Sequence, residues 1–164
     1  MSRVVIVIPL APLVEGDSFL VAHWPLHITV VPPFSTSANT EALAAVIDNV
    51  AARHPPLAVF AGEERLFGRN HTIPVNLVDD HPGLRELHRD LVAAVRPLAA
   101  DPDERLFTAT EFSPHVTVKN GRRVTAGDVL TLAQVALVDM AARADPSGRS
   151  VLSTSPLHNG LNDK

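Results

Sequence analysis

Trp24-Pro25-Leu26-His27-Ile28-Thr29-Val30 and Phe112-Ser113-Pro114-His115-Val116-Thr117-Val118 are two versions of one pattern: proline, then histidine, an apolar residue, threonine and another apolar residue. Side chains alternate between faces along a strand, so His27 and Thr29 share one face while Ile28 and Val30 share the other. The same alternation pairs His115 with Thr117 and Val116 with Val118. An apolar face turned to a core and a polar face lining a groove explain how imidazoles sit on interior strands without being stranded in hydrocarbon. If the two strands lie side by side, two imidazole–hydroxyl pairs converge.

Working outward, Arg3 to Leu10 is a β-branched, nearly continuous apolar run that predicts a buried strand, antiparallel to a strand at Leu26 to Val31 that Pro32-Pro33 ends. The helical spacing of Leu43, Val46, Ile47 and Val50 predicts a helix within Ser37 to Arg53, with Ser37, Asn39 or Thr40 as N-cap. Leu57 to Phe67 and His71 to Val78 read as a hairpin, with Pro74 placing the second strand near an edge. Asp80 to Ala99 carries the clearest amphipathic helix pattern, with Leu84, Leu87, Leu91, Val95 and Leu98 on one face. Leu106 to Phe112 reads as a strand or extended arm, His115 to Lys119 as a strand, and Thr125 to Leu132 as a short helix. Gln134 to Ala142 and Arg149 to Ser155 close the fold as a hairpin around Asp145-Pro146-Ser147-Gly148. The halves echo each other in the order of these elements, a sign of pseudo-twofold duplication.

The 164 residues suit one folding unit over residues 1–157, with residues 158–164 as a flexible tail. Hydrophobic residues make up 46% of the chain and 14 prolines punctuate it, the profile of a globular protein. No apolar run approaches the roughly 18 residues that span a bilayer, and no basic-then-apolar leader is read, so a cytoplasmic location is expected. The chain has no cysteine, which removes disulfides, thiolate zinc sites and a cysteine nucleophile. A net charge of −4 argues against a broad surface for long nucleic acid and leaves room for a small anion in a local pocket.

Two imidazoles about one small substrate apart suit phosphodiester cleavage. A neutral ring takes a proton from the attacking oxygen while a protonated partner gives one to the leaving oxygen. The threonine hydroxyls can donate to the nonbridging phosphate oxygens and stabilise charge in the transition state. Which histidine is base and which acid is left open by the sequence. A metal is not called for: three or more converging His, Asp or Glu ligands are not apparent, and His81 with His88 lacks ligand spacing. No cofactor and no obligatory protein partner is expected.

At His27-Ile28-Thr29-Val30 and His115-Val116-Thr117-Val118 the chain resembles the two-histidine (2H) phosphoesterase superfamily, which includes bacterial 2′-5′ RNA ligases, also called RNA 2′,3′-cyclic phosphodiesterases. The resemblance extends to the opening VVIVIPL, the helix start HPGLRELH, the lead-in Phe112-Ser113-Pro114 and the closing Ser155-Pro156-Leu157. It implies an α+β, bilobal fold of two antiparallel β-sheets facing a central groove with helices packed outside. It also implies catalytic roles for His27 and His115 and phosphate binding by Thr29 and Thr117. The chain departs from many RNA ligase members at Val31-Pro32-Pro33-Phe34, where those carry a lysine-phenylalanine-leucine-glycine stretch.

The expected activity is metal-independent hydrolysis of a 2′,3′-cyclic phosphate or 2′-5′ phosphodiester, with a small nucleotide or RNA terminus as substrate. The alternatives are 2′-5′ RNA ligation in the same groove and a non-catalytic nucleotide- or RNA-binding module. Candidates for lining the substrate are Phe34 and Phe112, able to stack a base, His71 behind its turn, and Lys119, which with Arg122 and Arg123 forms a basic cluster. His23, His54, His81, His88 and His158 read as surface or structural residues.

Overall fold

The computed structural model describes residues 1–108, 111–140 and 148–158. Its strands are β1 (Ser2–Pro9), β2 (Ser18–Leu20), β3 (His27–Thr36), β4 (Leu57–Phe67), β5 (Ile73–Val78), β6 (His115–Thr117), β7 (Val129–Leu132), β8 (Gln134–Asp139) and β9 (Gly148–Pro156). Helices α1 (Thr40–Ala51), α2 (Pro82–Val95) and the single-turn α3 (Arg105–Thr108) interrupt them. The strands run in the order β2-β9-β8-β1-β3-β6-β5-β4-β7, every pairing antiparallel. At the middle, β3 and β6 meet through a single register pair, Ile28 opposite Val116. The expected α+β architecture is therefore present, with its two antiparallel halves, β2-β9-β8-β1-β3 and β6-β5-β4-β7, sewn together at that narrow join.

β1 explains itself: a strand buried on both faces must be apolar at every position. Val4, Ile6 and Ile8 face the main core with Leu84, Leu87 and Leu91 of α2. Val5 and Val7 face a second cluster with Trp24, Ala136, Val138 and Val151. Ile28 and Val30 of β3 and Val116 of β6 join the main core, as the alternation requires. His27, Thr29, His115 and Thr117 thereby fall on the opposite face, the side of the Trp24 cluster.

The helix caps follow from side-chain chemistry. Asn39 Oδ1 accepts from the Ala42 backbone N–H at 2.8 Å and starts α1. The His81 ring accepts from Gly83 N–H at 3.0 Å and starts α2, with Pro82 at the first position where a missing donor is harmless. Asp48 on α1 is hydrogen-bonded by the Ser155 hydroxyl of β9, fixing that helix to its sheet.

Four expectations need correction. β3 does not stop at Pro32-Pro33 but runs to Thr36. Its register with β1 gains extra residues between Thr29 and Phe34, a bulged stretch in which the lost N–H groups are tolerated. β5 lies inside the sheet between β6 and β4, and Pro74 fits there because it sits just past the end of β6, where its carbonyl accepts from Val118 N–H at 3.1 Å. Of the stretch predicted as a strand or extended arm, Leu106 to Thr108 belong instead to α3 (Arg105–Thr108), with Phe107 buried. Within the predicted helix at Thr125 to Leu132 stands the edge strand β7, whose Leu130 and Leu132 are buried while Val129 and Thr131 are exposed, a period of two rather than 3.6. A short β2 also forms in the stretch read as a connection. The closing hairpin forms as β8 and β9, though its turn and most of the expected tail lie outside the described residues.

Candidate active site

The two histidine strands hold their rings in the same way. His27 Nδ1 lies 2.8 Å from the Pro25 carbonyl, and His115 Nδ1 lies 2.9 Å from the Ser113 carbonyl, in each case two residues upstream. A carbonyl only accepts, so Nδ1 carries the proton in both rings and Nε2 is left for chemistry. The tether has a local cause: the lead-in to each strand contains a proline, Pro25 or Pro114, which keeps the backbone extended and leaves the upstream carbonyl free for the imidazole.

Continuing the Ile28–Val116 register by one residue either way sets His27 across from Thr117 and Thr29 across from His115. The two His/Thr pairs thus interleave, each hydroxyl facing the other strand's imidazole. His27 and His115 are then diagonal neighbours, about 7–8 Å apart at the backbone, a gap wide enough for a phosphate between the two side chains. His115 is close enough for its charge to act on His27.

Their surroundings differ. His27 is buried beneath the indole of Trp24, ring centroids 4.2 Å apart, whereas His115 is half-buried and meets the Phe67 ring edge-on at 4.6 Å. Burial lowers the His27 pKa from 6.5 to about 4, with the charges of Lys119 and His115 pushing the same way and the Pro25 hydrogen bond opposing them. His27 is therefore neutral across the physiological range, with a bare Nε2.

Beside His115 lies a pocket of about 330 Å³, walled by Thr29, Pro32, His88, Phe112 and Ser113 among others. His27 and Thr117 continue the same face beyond its wall. Phe112 is one wall of this pocket, stacked flat on His88 with ring centroids 4.0 Å apart. Phe34 does not line it: it is fully buried and packs edge-on against Phe107, on the same core face as Ile28 and Val30. His71 stands exposed in the β4–β5 turn with φ of 52° and lines a different pocket with Arg65 and Arg123. Of the basic cluster, Lys119 reaches Trp24, its Nζ 5.7 Å from the ring centroid. Arg122 donates to the Trp24 carbonyl at 3.1 Å, and Arg123 is held by Asn76 and Glu64.

Two residues at the site are not singled out by the sequence pattern. Trp24 stands there only as the first residue of the quoted stretch, yet it forms the roof over His27. His88 reads as a helix-surface residue, although it follows the buried Leu84 by four positions and so borders the apolar stripe of α2. Its Nδ1 donates to the Val30 carbonyl at 2.7 Å, which anchors α2 to β3 at the pocket rim. His54, buried, lies 2.8 Å from Asp90. Among the described residues no three His, Asp or Glu side chains gather to hold a metal ion, and no helix is long and apolar enough to cross a membrane.

Two strand-borne histidines with paired threonines on the open face of an antiparallel α+β fold define the two-histidine phosphoesterase class. The family model for the 2′-5′ RNA ligase superfamily matches residues 11–146, and the chain belongs to that superfamily. Membership carries a phosphoesterase-type function with it. Among solved structures, E. coli LigT complexed with NADP+ is 19% identical at a TM-score of 0.61, and TT0787 of Thermus thermophilus is 17% identical at 0.62. E. coli LigT complexed with 3′-AMP is 18% identical at 0.59. Each alignment covers 96% of this chain and 98% of the other, and at such identities the likeness is one of fold. No curated protein matches by sequence.

Proposed function

We propose that this protein is a metal-independent phosphodiesterase that hydrolyses a 2′,3′-cyclic phosphate or a 2′-5′ phosphodiester of a nucleotide or RNA end. The observation that carries the reading is the matched tethering of His27 and His115 through Nδ1, which leaves both Nε2 atoms for one substrate while burial keeps His27 unprotonated. His27 Nε2 takes a proton from water as the water oxygen bonds to phosphorus. The bond from phosphorus to a ribose oxygen breaks, and protonated His115 gives its Nε2 proton to that oxygen. Thr29 and Thr117 donate hydrogen bonds to the nonbridging oxygens, and Phe112 offers an aromatic wall to the base. The nucleotide and phosphate ligands seen with E. coli LigT support a nucleotide-type substrate here.

A second reading, 2′-5′ joining of RNA ends, is favoured by the superfamily's name and runs the same bond-making in reverse; the net charge of −4 counts against a large RNA partner. Incubation with 2′,3′-cyclic mononucleotides, 2′-5′ dinucleotides and RNA halves, with and without EDTA, separates the readings. Hydrolysis of the first two in EDTA is the expected result, and alanine at His27 or His115 is expected to lower it by about 10² to 10⁴. Joining of halves without hydrolysis would favour the ligase, binding without turnover a non-catalytic module, and loss of activity in EDTA would sink the metal-free mechanism.

A further inference from the structure

Arg85 and Arg89 stand one turn apart on α2, and Val92 and Arg96 continue the same stripe to the turn beyond its end. From Arg85 to Arg96 the stripe rises about 16 Å. It forms one side of a cleft of about 590 Å³, which His88, Phe107 and Phe112 also line. His88 and Phe112, stacked flat at 4.0 Å, wall the pocket beside His115 as well, so the two cavities have one pair of rings in common. The arginine cleft therefore adjoins the candidate active site.

The charge in this cleft is available to a ligand. Arg85 pairs with Asp80 at 2.7 Å and Arg96 with Asp103 at 3.3 Å, but both carboxylates are largely exposed, where an ion pair holds its members weakly. Arg89 is exposed, and no carboxylate pairs with it among the described residues. A merely solvated helix face needs no cleft and no aromatic ring beside its cations. A row of guanidiniums next to an aromatic face is instead the combination that holds a single nucleic-acid strand: the cations track its phosphates, and the ring accepts a base of any identity. A lone phosphate would engage only one end of a row this long.

We propose that the cleft on α2 carries the strand that leads to the reacting nucleotide, so that the substrate is the end of a short oligoribonucleotide and not a free mononucleotide. The assignment rests on the phosphodiesterase reading for its direction. A 2′,3′-cyclic phosphate closes the 3′ end of a chain, so with that phosphate at the His/Thr pairs every further nucleotide lies on its 5′ side. The strand passes the stacked rings of Phe112 and His88 and lays its phosphates along Arg85, Arg89 and Arg96. A local row of cations suits a few nucleotides, in keeping with a net charge of −4 that provides no broad surface for a long chain.

Calorimetric titration of the full chain with 3′-AMP and with a 3′-phosphorylated adenosine tetranucleotide, at several salt concentrations, tests this track without requiring turnover. The tetranucleotide is expected to bind about tenfold or more tightly than 3′-AMP. Its log affinity should fall against log salt with a slope steeper by about 2, since each single-strand phosphate contact adds about 0.7. Arg89→Gln should take about 0.7 from that slope, and Arg89→Lys, which keeps the charge, should retain it. The double variant Arg85→Gln with Arg89→Gln should abolish the length preference while leaving 3′-AMP binding unchanged. Equal affinity for one and four nucleotides, or a length preference that survives the double variant, would overturn the track. So would an Asp/Glu-rich peptide that binds with the same dependence on Arg89 where the tetranucleotide does not, which would assign the cleft to a protein. Turnover of 2′,3′-cyclic AMP is followed separately. Hydrolysis without a length preference fails the track alone, and an Arg89-dependent length preference without hydrolysis fails the catalytic reading alone.

Discussion

His27 and His115 share a motif and a tether but not an environment, and in the mechanism proposed above that difference makes His27 the base and His115 the acid. Burial under Trp24 makes His27 a weak base that is always available. In the free enzyme a neutral His27 is required, so the acid limb of kcat/KM is expected near pH 4 rather than near 6.5. The charge of Lys119 lowers the His27 pKa, so Lys119→Met should move that limb to higher pH; a limb that stays put would show another group titrating. A bound phosphate favours the protonated imidazole, so the acid limb of kcat should lie above that of kcat/KM. Thr117→Val removes a donor from the same face and is expected to lower kcat by about 10² to 10³, with Thr117→Ser recovering most of it. The pairing of His27 with Thr29 and of His115 with Thr117 is legible in the sequence because a period of two fixes which residues share a face. The unequal burial is not, because it depends on Trp24 folding back over His27 and on the loop contacts that hold it there.

At the scale of elements, strands announced by β-branched runs and helices announced by leucine spacing form where expected, and Asn39, one of three candidate caps, is the residue that caps α1. Asn39→Ala should cost about 1 kcal/mol in urea unfolding and leave turnover unchanged, since α1 packs on the side away from the histidines. The segments that depart from expectation share a cause. Locally, Pro32-Pro33 and Pro74 signal the end or edge of a strand, but the first pair lies where β3 itself bulges against β1 and Pro74 where β6 has already ended, a fact of pairing rather than of local sequence. β7 resembles part of a helix in sequence because four residues cannot separate the two periods; pairing with the edge of β4 decides it. The β3–β6 join is where element and site meet. Ile28→Ala empties a fully buried position there, and a loss of about 2–5 kcal/mol is expected. Because one register pair carries the join, the surviving folded protein should also lose turnover beyond what its unfolded fraction explains; activity that tracks only the folded fraction would mean that the histidines are aligned by something other than that pair.

At the scale of the whole molecule the buried imidazole couples function to stability. The folded-state pKa of His27, about 4, lies below the 6.5 of an unfolded chain, so between these values the unfolded state binds more protons and stability rises with pH. The effect is absent above about 6.5, grows as pH falls toward 4, and levels below that at a destabilisation on the order of 3 kcal/mol. Carboxylates titrate across the same range, so the contribution of His27 is read as the difference between the unmodified protein and His27→Gln, whose side chain does not ionise. The unmodified protein is expected to lose its thermal midpoint more steeply between pH 6.5 and 4 than the variant, and parallel curves would mean that His27 is better solvated than its burial indicates. On the proposed nucleotide-binding reading, saturating 3′-AMP should flatten the difference, since a ligand of the folded state whose phosphate lies by His27 would supply a counter-charge. The same desolvation that keeps His27 neutral at neutral pH thus contributes to the loss of stability in acid, and the proposed anion in the groove would offset it.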